Sequence, residues 1–537
     1  MPHPPSLWKN ALALAAGLLC TAQAAAQCAG VVLEPGQPAA QVVALSGRGE
    51  TRPAGAAPWQ PAALSQTLDA GADMRTLALS SAALLLADRT QIRMAAQAQL
   101  RLCESRPART LLELVGGRLW ARTKKTPAAL ELQTPAALAV VRGTDWDVEV
   151  EEGGRTTLTV LSGRIAVFNA LGAVDVGPSE QATVEPGQAP VKRLLVQPRE
   201  RVQWVMDSAL DVAHWAAALR SAGAAPLATA ADALETGRWP EARAQLRALA
   251  ARGEGGALAE RLLAELELAD GQPDAAQARL ERAWQRTQDP RAAARRAGLL
   301  MALDRSQEAR AWLDATRVPA PDDAALLLAD ADWHRLEGQG DAALRLYRQA
   351  VAQAPDAAAE AAAQAGLGRA LQERGDLFAA RAALERAVEL APDQSAYRAE
   401  RATAATEALR LHAARADFDA ALAQAGDDYV ALAGAGLLAL RQGDAAAART
   451  QLLKALVIEP RHARAQVWLA VAEYQLGEPA AAFDALERAR QADPNDPLPW
   501  QIEAQMRNDS GEPQAAMAAA REALVRLPYL KSLNPLA

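Results

Sequence analysis

Polar residues that could do chemistry are concentrated in one stretch in the first third of the chain. Asp145 and Asp147 are two residues apart, and Thr134, Arg142 and Thr144 precede them. Paired carboxylates act as general acid and base where burial drives their pKa values apart. Residues two apart in a strand share a face, and apolar residues alternate with these carboxylates. We therefore expect Asp145 and Asp147 to lie on a solvated face and to have no catalytic role.

The histidines also argue against catalysis in this region. None lies between residues 30 and 200, so neither a Ser-His-Asp triad nor a His/Cys metal site can form there. No glycine-rich loop suited to phosphate leads into a helix in the same region. We expect no enzyme activity, no cofactor and no metal site, and ordinary surface or packing roles for the histidines. These are His3, His214, His334, His412 and His462.

Length and charge bound the architecture and the partners. The chain has 537 residues, too many for one compact core, which predicts several domains or a repeat array. Its net charge of -7 gives no basic footprint. We therefore do not expect nucleic-acid binding.

Residues 1–26 have the pattern of a Sec signal peptide. Lys9 precedes an apolar run at residues 11–19, and small residues suited to signal peptidase follow. That run is shorter than the roughly 20 apolar residues that cross a membrane, and no later stretch qualifies. We expect a soluble periplasmic protein without a transmembrane span. Further secretion and outer-membrane association both stay open.

Two cysteines would remain after cleavage of the signal, Cys28 and Cys103. An even number in an oxidising compartment favours a disulfide between them. Spacing alone does not bring their Cα atoms within bonding reach, so two buried thiols are the open alternative.

The segment 30–192 alternates apolar and polar residues with a period of two, and glycine-containing turn signals recur along it. Among these signals are Gly116-Gly117 and Ser162-Gly163. Short strands at regular spacing predict an all-β sandwich, barrel or solenoid. We expect the glycine pairs to form turns between strands.

A helical pattern follows the β region. After Pro198, apolar residues from Val202 to Leu219 recur on one helical face, so residues 193–225 are predicted to form a bridging helix and linker. Pro226 marks a boundary, and residues 226–530 repeat with a period near 34. The alanines that would let the second helix of each pair pack on the first are Ala242, Ala276, Ala309, Ala343, Ala380, Ala414, Ala448, Ala482 and Ala516.

These repeats resemble tetratricopeptide (TPR) repeats. The stretch "AGLGRALQERGDLFAARAALERAVELAPD" carries a first-helix glycine, Gly368, a turn glycine, Gly375, and a closing proline, Pro392. The resemblance implies an all-α solenoid of about nine helix pairs. Two repeats depart from the pattern: Leu409 stands where a turn glycine belongs, and the repeat near residue 305 also lacks one. The pattern therefore does not predict the turn at Leu409.

The β region resembles the FecR domain over residues 38–190. Its "TPAALAVVRGTDWDVEV" supplies Thr134-Pro135, the Arg142-Gly143-Thr144 motif and Trp146 in the aromatic position. We expect Thr134-Pro135 to open a strand and Trp146 to face the core. FecR proteins in the narrow sense relay a siderophore signal from a TonB-dependent receptor to a sigma factor, which needs a cytoplasmic segment and a membrane span. Here a cleavable signal is expected in their place, so the resemblance implies a periplasmic partner-binding domain and supplies no catalytic residues.

TPR solenoids bind protein segments on the concave surface formed by the first helix of each pair. The resemblance therefore implies a protein or peptide partner, with an outer-membrane receptor, an envelope assembly component and peptidoglycan as candidates. By register, the predicted partner-binding residues are Asp332, Arg335, Arg369, Gln372, Arg441, Arg464, Tyr474, Gln501 and Gln505.

Together these features predict a non-enzymatic exported scaffold or adaptor of the Gram-negative envelope. The alternative is a periplasmic signal-sensing component linked to a TonB-dependent receptor and a sigma factor. An envelope hydrolase is a third hypothesis, but it would need a pocket with clustered titratable groups, which the sequence does not display.

Overall fold

The computed structural model describes residues 38–55, 58–106, 109–123, 130–195, 212–236, 238–270 and 272–526. The predicted signal peptide, Cys28 and the first half of the predicted bridging helix lie outside these residues. Cys103 is fully buried and disulfide-bonded. The other cysteines of the chain, Cys20 and Cys28, are outside the described ranges, so the pairing of Cys28 with Cys103 stays a prediction.

The N-terminal part is all-β, as predicted, and its strands form one hydrogen-bonded sheet system. The strands are β1 (Pro38–Ser46), β2 (Gly49–Arg52), β3 (Gln60–Pro61), β4 (Thr67–Asp69), β5 (Asp73–Thr76), β6 (Ser81–Leu86), β7 (Gln91–Met94), β8 (Gln99–Arg106), β9 (Arg109–Arg122), β10 (Leu130–Gln133), β11 (Leu138–Val150), β12 (Thr156–Asn169), β13 (Gly172–Val176), β14 (Glu180–Val184) and β15 (Val191–Leu194).

Three long strands, β9, β11 and β12, bend and change partners along their length. The first part of β11 pairs with β10, and the part from Asp145 to Val150 pairs with β9. Gly117 lies inside β9 at φ +83°, and a Cβ there would come within 2.4 Å of the Cα of Ala98. Gly163 lies inside β12 with φ 80°. The prediction of turns at these two glycines is therefore wrong: they permit bends within strands.

Alternation along β11 buries both of its faces. Trp146 and Val148 have no exposed surface and lie in the apolar core of the sheet, as expected. Asp147 is also fully buried, so the prediction of a solvated face is wrong for this residue. The reason is the neighbouring strand β9, whose Arg118 donates to Asp147 from Nε at 2.9 Å and from Nη2 at 3.2 Å.

Thr134 lies in the turn between β10 and β11. Its Oγ1 donates to the carbonyl of Ala137 at 3.0 Å and accepts from Thr156 Oγ1 at 2.9 Å. The expectation that Thr134-Pro135 opens a strand is therefore wrong, because these hydrogen bonds close a turn after β10. The turn residue contributes to packing, since only 5% of its surface is exposed.

The C-terminal part is all-α, as predicted. The helices are α1 (Val212–Ser221), α2 (Ala225–Glu235), α3 (Trp239–Ala251), α4 (Gly256–Ala269), α5 (Pro273–Thr287), α6 (Pro290–Ala302), α7 (Ser306–Arg317), α8 (Ala324–Leu336), α9 (Gly340–Ala352), α10 (Ala357–Arg374), α11 (Leu377–Leu390), α12 (Ser395–Glu407), α13 (Leu411–Gln424), α14 (Tyr429–Arg441), α15 (Ala445–Ile458), α16 (Ala463–Gln475), α17 (Pro479–Ala492), α18 (Leu498–Asp509) and α19 (Pro513–Val525).

Helices α2 to α19 form nine consecutive pairs, which confirms the predicted solenoid. All nine aligned alanines, from Ala242 to Ala516, are buried between helices. Asp323, Asp428 and Asp444 precede first or second helices and accept hydrogen bonds from their first-turn amides. The pairs are thus held by a buried alanine contact in each repeat and, in some repeats, by side-chain capping as well.

The two atypical repeats keep their turns without glycine. Leu409 has φ 58° and Asp304 has φ 60°, the left-handed conformation that the turn glycines Gly338, Gly375, Gly443, Gly477 and Gly511 also adopt. Leu409 leaves 68% of its surface exposed, so burial of its side chain does not offset the energetic cost of the left-handed backbone. Helix pairing on either side therefore imposes the turn.

The bridging helix, in its described part α1, packs on the first solenoid helix. Ala216 and Leu219 are fully buried in a cluster with Leu227 and Leu234 of α2. Leu79 of the β domain packs against the same cluster. Among the described helices, none is both long and apolar enough to cross a membrane.

The solenoid curves until repeats more than 150 residues apart touch. Arg461 donates from Nη2 to Asp304 Oδ1 at 2.5 Å and from Nη1 to the carbonyl of Ala302 at 3.3 Å. Asn495 Nδ2 donates to the carbonyl of Leu336 at 3.2 Å. Turns near α16 and α18 are thereby joined to turns that follow α6 and α8.

Candidate partner-binding cavity

The inner face of the curved solenoid encloses a cavity of about 1240 Å³. Its wall is built mainly from the first helices of five successive pairs, α10, α12, α14, α16 and α18, together with the turns beside them. Leu437, Val467 and Trp468 provide an apolar strip, and charged side chains surround it.

Eight of the nine predicted partner-binding residues line this cavity. They are Arg335, Arg369, Gln372, Arg441, Arg464, Tyr474, Gln501 and Gln505. Asp332 is not part of the lining; it accepts a hydrogen bond from the hydroxyl of Tyr347 at 2.6 Å. Whether these residues bind a partner stays a prediction.

Ion pairs and a hydrogen bond between first helices of different pairs line one side of the cavity. Arg335 Nη1 lies 3.1 Å from Glu373 Oε1. Glu407 accepts from Gln372 Nε2 at 2.7 Å and lies 3.4 Å from Arg464 Nη1. Each of these contacts joins side chains of different repeats and so helps to hold the helices of the cavity wall together.

Arg369 and Glu400 form a further ion pair of this wall. Arg369 Nε is 3.5 Å from Glu400 Oε1, too far for a hydrogen bond, and Glu400 Oε2 has no hydrogen-bond partner. Burial raises the pKa of Glu400, although Arg369 acts against this shift. The charge of Glu400, outweighing burial, raises the pKa of Arg369. The side chain of Arg369 still has 41% of its surface exposed, so it faces the open cavity.

An aromatic cluster forms another part of the wall. The ring of His462 meets Tyr429 edge to face at 5.6 Å and lies 6.5 Å from Trp468. His462 Nδ1 accepts a hydrogen bond from the amide of Ala465 and so caps α16. Burial lowers the pKa of His462 to about 4, which keeps the ring neutral, and burial raises the pKa of Tyr429 to about 12.

Several lining groups have no hydrogen-bond or ionic partner among the described residues: the guanidinium of Arg441 and the side-chain amides of Gln501 and Gln505. Tyr474 differs, because its hydroxyl donates to the carbonyl of Met506 at 3.1 Å. Polar groups without partners on a concave wall are available to a ligand.

The sequence-based prediction missed the acidic half of the cavity. Glu400, Glu407, Glu459, Asp493 and Asp496 all line it. The sequence could have indicated these acidic residues by an oppositely charged residue about one repeat away. Arg369 and Glu400, for example, are 31 positions apart. The cavity therefore does gather titratable groups, although the sequence displays no such cluster, because side chains from separate repeats converge.

This cluster has no described nucleophile–base pair. Glu400 and Glu407 lie beside arginines, and the Nδ1 of His462 is occupied as a helix cap. No group of three or more His, Cys, Asp and Glu in the described part of the chain is placed to hold a metal ion.

In the β domain, Asp145 accepts from Arg122 Nε and Nη2 at 2.9 and 3.0 Å, so both carboxylates of the opening stretch are paired with arginines.

Comparison with known families agrees with this architecture. A family model described as "FecR protein" matches residues 72–166, and two models described as "Tetratricopeptide repeat" match residues 334–403 and 433–497. The chain contains a FecR domain and TPR repeats. The FecR and TPR families are non-catalytic interaction or regulatory modules, and TPR repeats indicate protein partners.

Three solved structures are similar to parts of the chain. A putative anti-sigma factor from Parabacteroides distasonis is 17% identical, with 25% of this chain and 64% of that chain covered and a TM-score of 0.23. The Cut9-Hcn1 tetramer of the APC/C is 17% identical over 53% of this chain and 56% of that chain, with a TM-score of 0.40. The chain thus spans less than two thirds of either structure. A TPR protein from Parabacteroides merdae is 16% identical over 44% of this chain and 91% of that chain, with a TM-score of 0.32. No curated protein matches the chain.

Proposed function

We propose that this protein is a non-enzymatic adaptor of the bacterial envelope whose solenoid cavity holds an extended segment of a partner protein. The observation that carries the proposal is the set of partnerless polar groups on the cavity wall. Arg441, Gln501 and Gln505 can donate to backbone carbonyls or carboxylates. The apolar strip beside them can take an aliphatic or aromatic side chain.

The sequence of residues 1–26 and the FecR domain support placing this adaptor in the periplasm. The charge, apolar run and small residues of segment 1–26 are those of a Sec signal, and a FecR domain is an envelope-associated module. The partner is then an outer-membrane receptor, a component of an envelope assembly machine, or peptidoglycan.

The first experiment uses the full-length mature protein as bait in an envelope extract, followed by overlapping 15-residue synthetic peptides from each retained protein. We expect one peptide to bind, and Arg441→Glu and a Gln501→Ala/Gln505→Ala double variant to weaken it at least tenfold. Arg381→Glu is the matched control, because Arg381 lies outside the cavity and pairs with Glu385 at 2.6 Å. Equal loss with the control, or full binding by the cavity variants, would contradict the proposal.

Isolated peptidoglycan sacculi provide a second arm of the experiment. Retention of the protein on sacculi, with loss in the same cavity variants, would identify a glycan as the occupant and refute the peptide. Release of muropeptides or sugar by the purified protein would show that it is an enzyme, and would refute the non-enzymatic proposal.

The second candidate function is signal sensing, in which the FecR domain responds to an envelope receptor and the solenoid relays the response. The observation in its favour is the FecR match at residues 72–166 together with the contact of that domain with the solenoid. Deletion of the gene should then change transcription of a linked receptor gene, and an unchanged transcript level would contradict signalling.

A further inference from the structure

The turn between α15 and α16, residues 458–462, joins the FecR domain, the cavity and the far side of the solenoid. We call it the junction turn. From the FecR domain, Arg93 Nη1 donates to the carbonyl of Ile458, and Arg122 Nη1 donates to the carbonyl of Pro460 at 3.4 Å. These are carbonyls at and just beyond the C-terminus of α15, where helix carbonyls lack internal partners and cations are favoured.

The opposite side of the junction turn is cavity wall. Glu459, Arg461 and His462 all line the cavity. Glu459 Oε1 accepts from the amide of Arg461 at 3.0 Å, which fixes the carboxylate against the turn. Burial raises the pKa of Glu459, and the charges of Arg93, Arg461 and Arg122 act to lower it, so the FecR arginines are close enough to influence a cavity carboxylate.

The junction turn also closes the solenoid, because Arg461 binds Asp304 and the carbonyl of Ala302. A second connection runs deeper into the solenoid. Pro460 accepts from Gln466 Nε2 at 3.2 Å, and Gln466 Oε1 accepts from Arg488 Nε at 3.1 Å. Arg122 and Gln466 thus share one carbonyl, with the FecR domain on one side and the solenoid on the other.

Other contacts between the FecR domain and this part of the solenoid involve side chains away from residues 459–462. Leu85 packs against the cluster around Leu456. Leu64 lies against Gly426, where an added Cβ would come within 2.7 Å of Leu64 Cδ2. Arg89 lies 3.4 Å from Glu478 Oε1. The interface therefore has two sets of contacts. One set packs the FecR domain on the solenoid, and the other, made by Arg93 and Arg122, holds the junction turn.

We propose that the FecR domain sets the shape of the cavity through the junction turn, with Arg93 and Arg122 as positioning residues. This inference rests on the proposed function only because it treats the cavity as the binding site. A partner that draws the FecR domain away from α15 releases the turn and changes the cavity wall. Binding and docking are thermodynamically linked. An occupant that binds more tightly when the FecR domain is docked must therefore also stabilise the docked position of that domain.

The test measures the turn directly and needs no ligand. Full-length wild type is compared with an Arg93→Ala/Arg122→Ala double variant by amide hydrogen exchange and by carbethoxylation of histidines with diethylpyrocarbonate, both read by peptide mass spectrometry. We expect exchange in peptides covering residues 459–467 to accelerate at least tenfold, and His462 to react at least threefold faster. His334, far from the turn in sequence, serves as the internal reference.

Two controls separate the proposal from general loosening. Arg89→Ala removes an arginine of the same interface that does not touch the turn, and Arg155→Ala removes an arginine on the far hairpin, paired with Glu185 at 2.5 Å. Both should change exchange at residues 459–467 less than threefold. If Arg89→Ala accelerates it as much as the double variant, docking as a whole holds the turn and the positioning role is refuted.

Unchanged exchange and unchanged His462 reactivity in the folded double variant would overturn the proposal. If the double variant does not fold, Arg122→Lys keeps the charge but loses the forked geometry, and it should accelerate exchange at the turn by at least threefold; no acceleration there refutes the proposal as well. The outcomes are distinguishable from failure of the proposed function. Coupling without peptide binding refutes only the adaptor, and peptide binding without coupling refutes only this inference.

Discussion

Replacing Asp147 with alanine should destabilise the FecR domain by about 3 kcal/mol. The Asp147 side chain is fully buried and pairs with Arg118, which has 20% of its side-chain surface exposed. Removing one partner of a buried ion pair costs about 3–5 kcal/mol, because the other charge loses its compensation. Arg118 can recover some hydration through its exposed fifth, which places the expected cost at the low end of that range.

The assay is native-state hydrogen exchange of amides in β11 in the full-length protein, since a chain with two modules need not unfold in a single step. A loss of about 3 kcal/mol corresponds to an opening equilibrium raised by roughly a hundredfold. Replacing both partners, Asp147→Leu with Arg118→Met, should recover most of the loss, because no charge is left buried alone.

The control is Glu185→Ala, which breaks the Arg155 pair at the surface, where 36% and 47% of the two side chains are exposed. Exposed pairs of this kind contribute between about 0 and 1 kcal/mol. The reasoning is refuted if Asp147→Ala costs less than about 1 kcal/mol, or if the double replacement is no more stable than the single one.

Three further predictions concern the solenoid. Gly436→Ala should reduce the free energy of unfolding by about 1–3 kcal/mol and so lower the thermal midpoint, because its Cβ would come within 2.5 Å of Leu452 Cγ. Gly298→Ala, whose Cβ would meet nothing within 4 Å, should instead raise the free energy of unfolding by about 0.5–1 kcal/mol. Leu409→Gly should gain about 0.5–1 kcal/mol in urea unfolding, because it relieves a left-handed leucine that is mostly exposed; a loss would contradict this. His462 has a folded pKa of about 4 against 6.5 unfolded, so stability should fall as pH drops from about 6.5 to 4, by no more than about 3 kcal/mol. His462→Asn, which can still cap α16, should flatten this part of the pH–stability curve.

Much of the fold could be predicted because it depends on residues that are close together in the sequence. The 34-residue period places one small residue at each helix contact, and Ala242 through Ala516 are buried for that reason. The same register put eight of nine chosen side chains on the cavity wall. Leu409 shows the converse: its turn forms without the expected glycine, because neighbouring helix pairs impose the backbone conformation.

The features that the sequence did not predict depend on distant segments. Asp147 is buried because Arg118, 29 residues earlier, covers it across a strand pair that only a bent β11 permits. The acidic side of the cavity appears when Glu400 and Glu407 meet residues of the preceding and following repeats. Contact between the FecR domain and α15 has no periodic signature, so alternation and repeat length do not reveal it.

The closure between Arg461 and Asp304 limits how this chain can change in length. Repeat arrays ordinarily gain or lose units with little harm, since each unit touches only its neighbours. Here one added helix pair between residues 304 and 461 would move the arginine by a whole repeat and leave the aspartate facing a different turn. The number of repeats in this interval is therefore fixed by geometry.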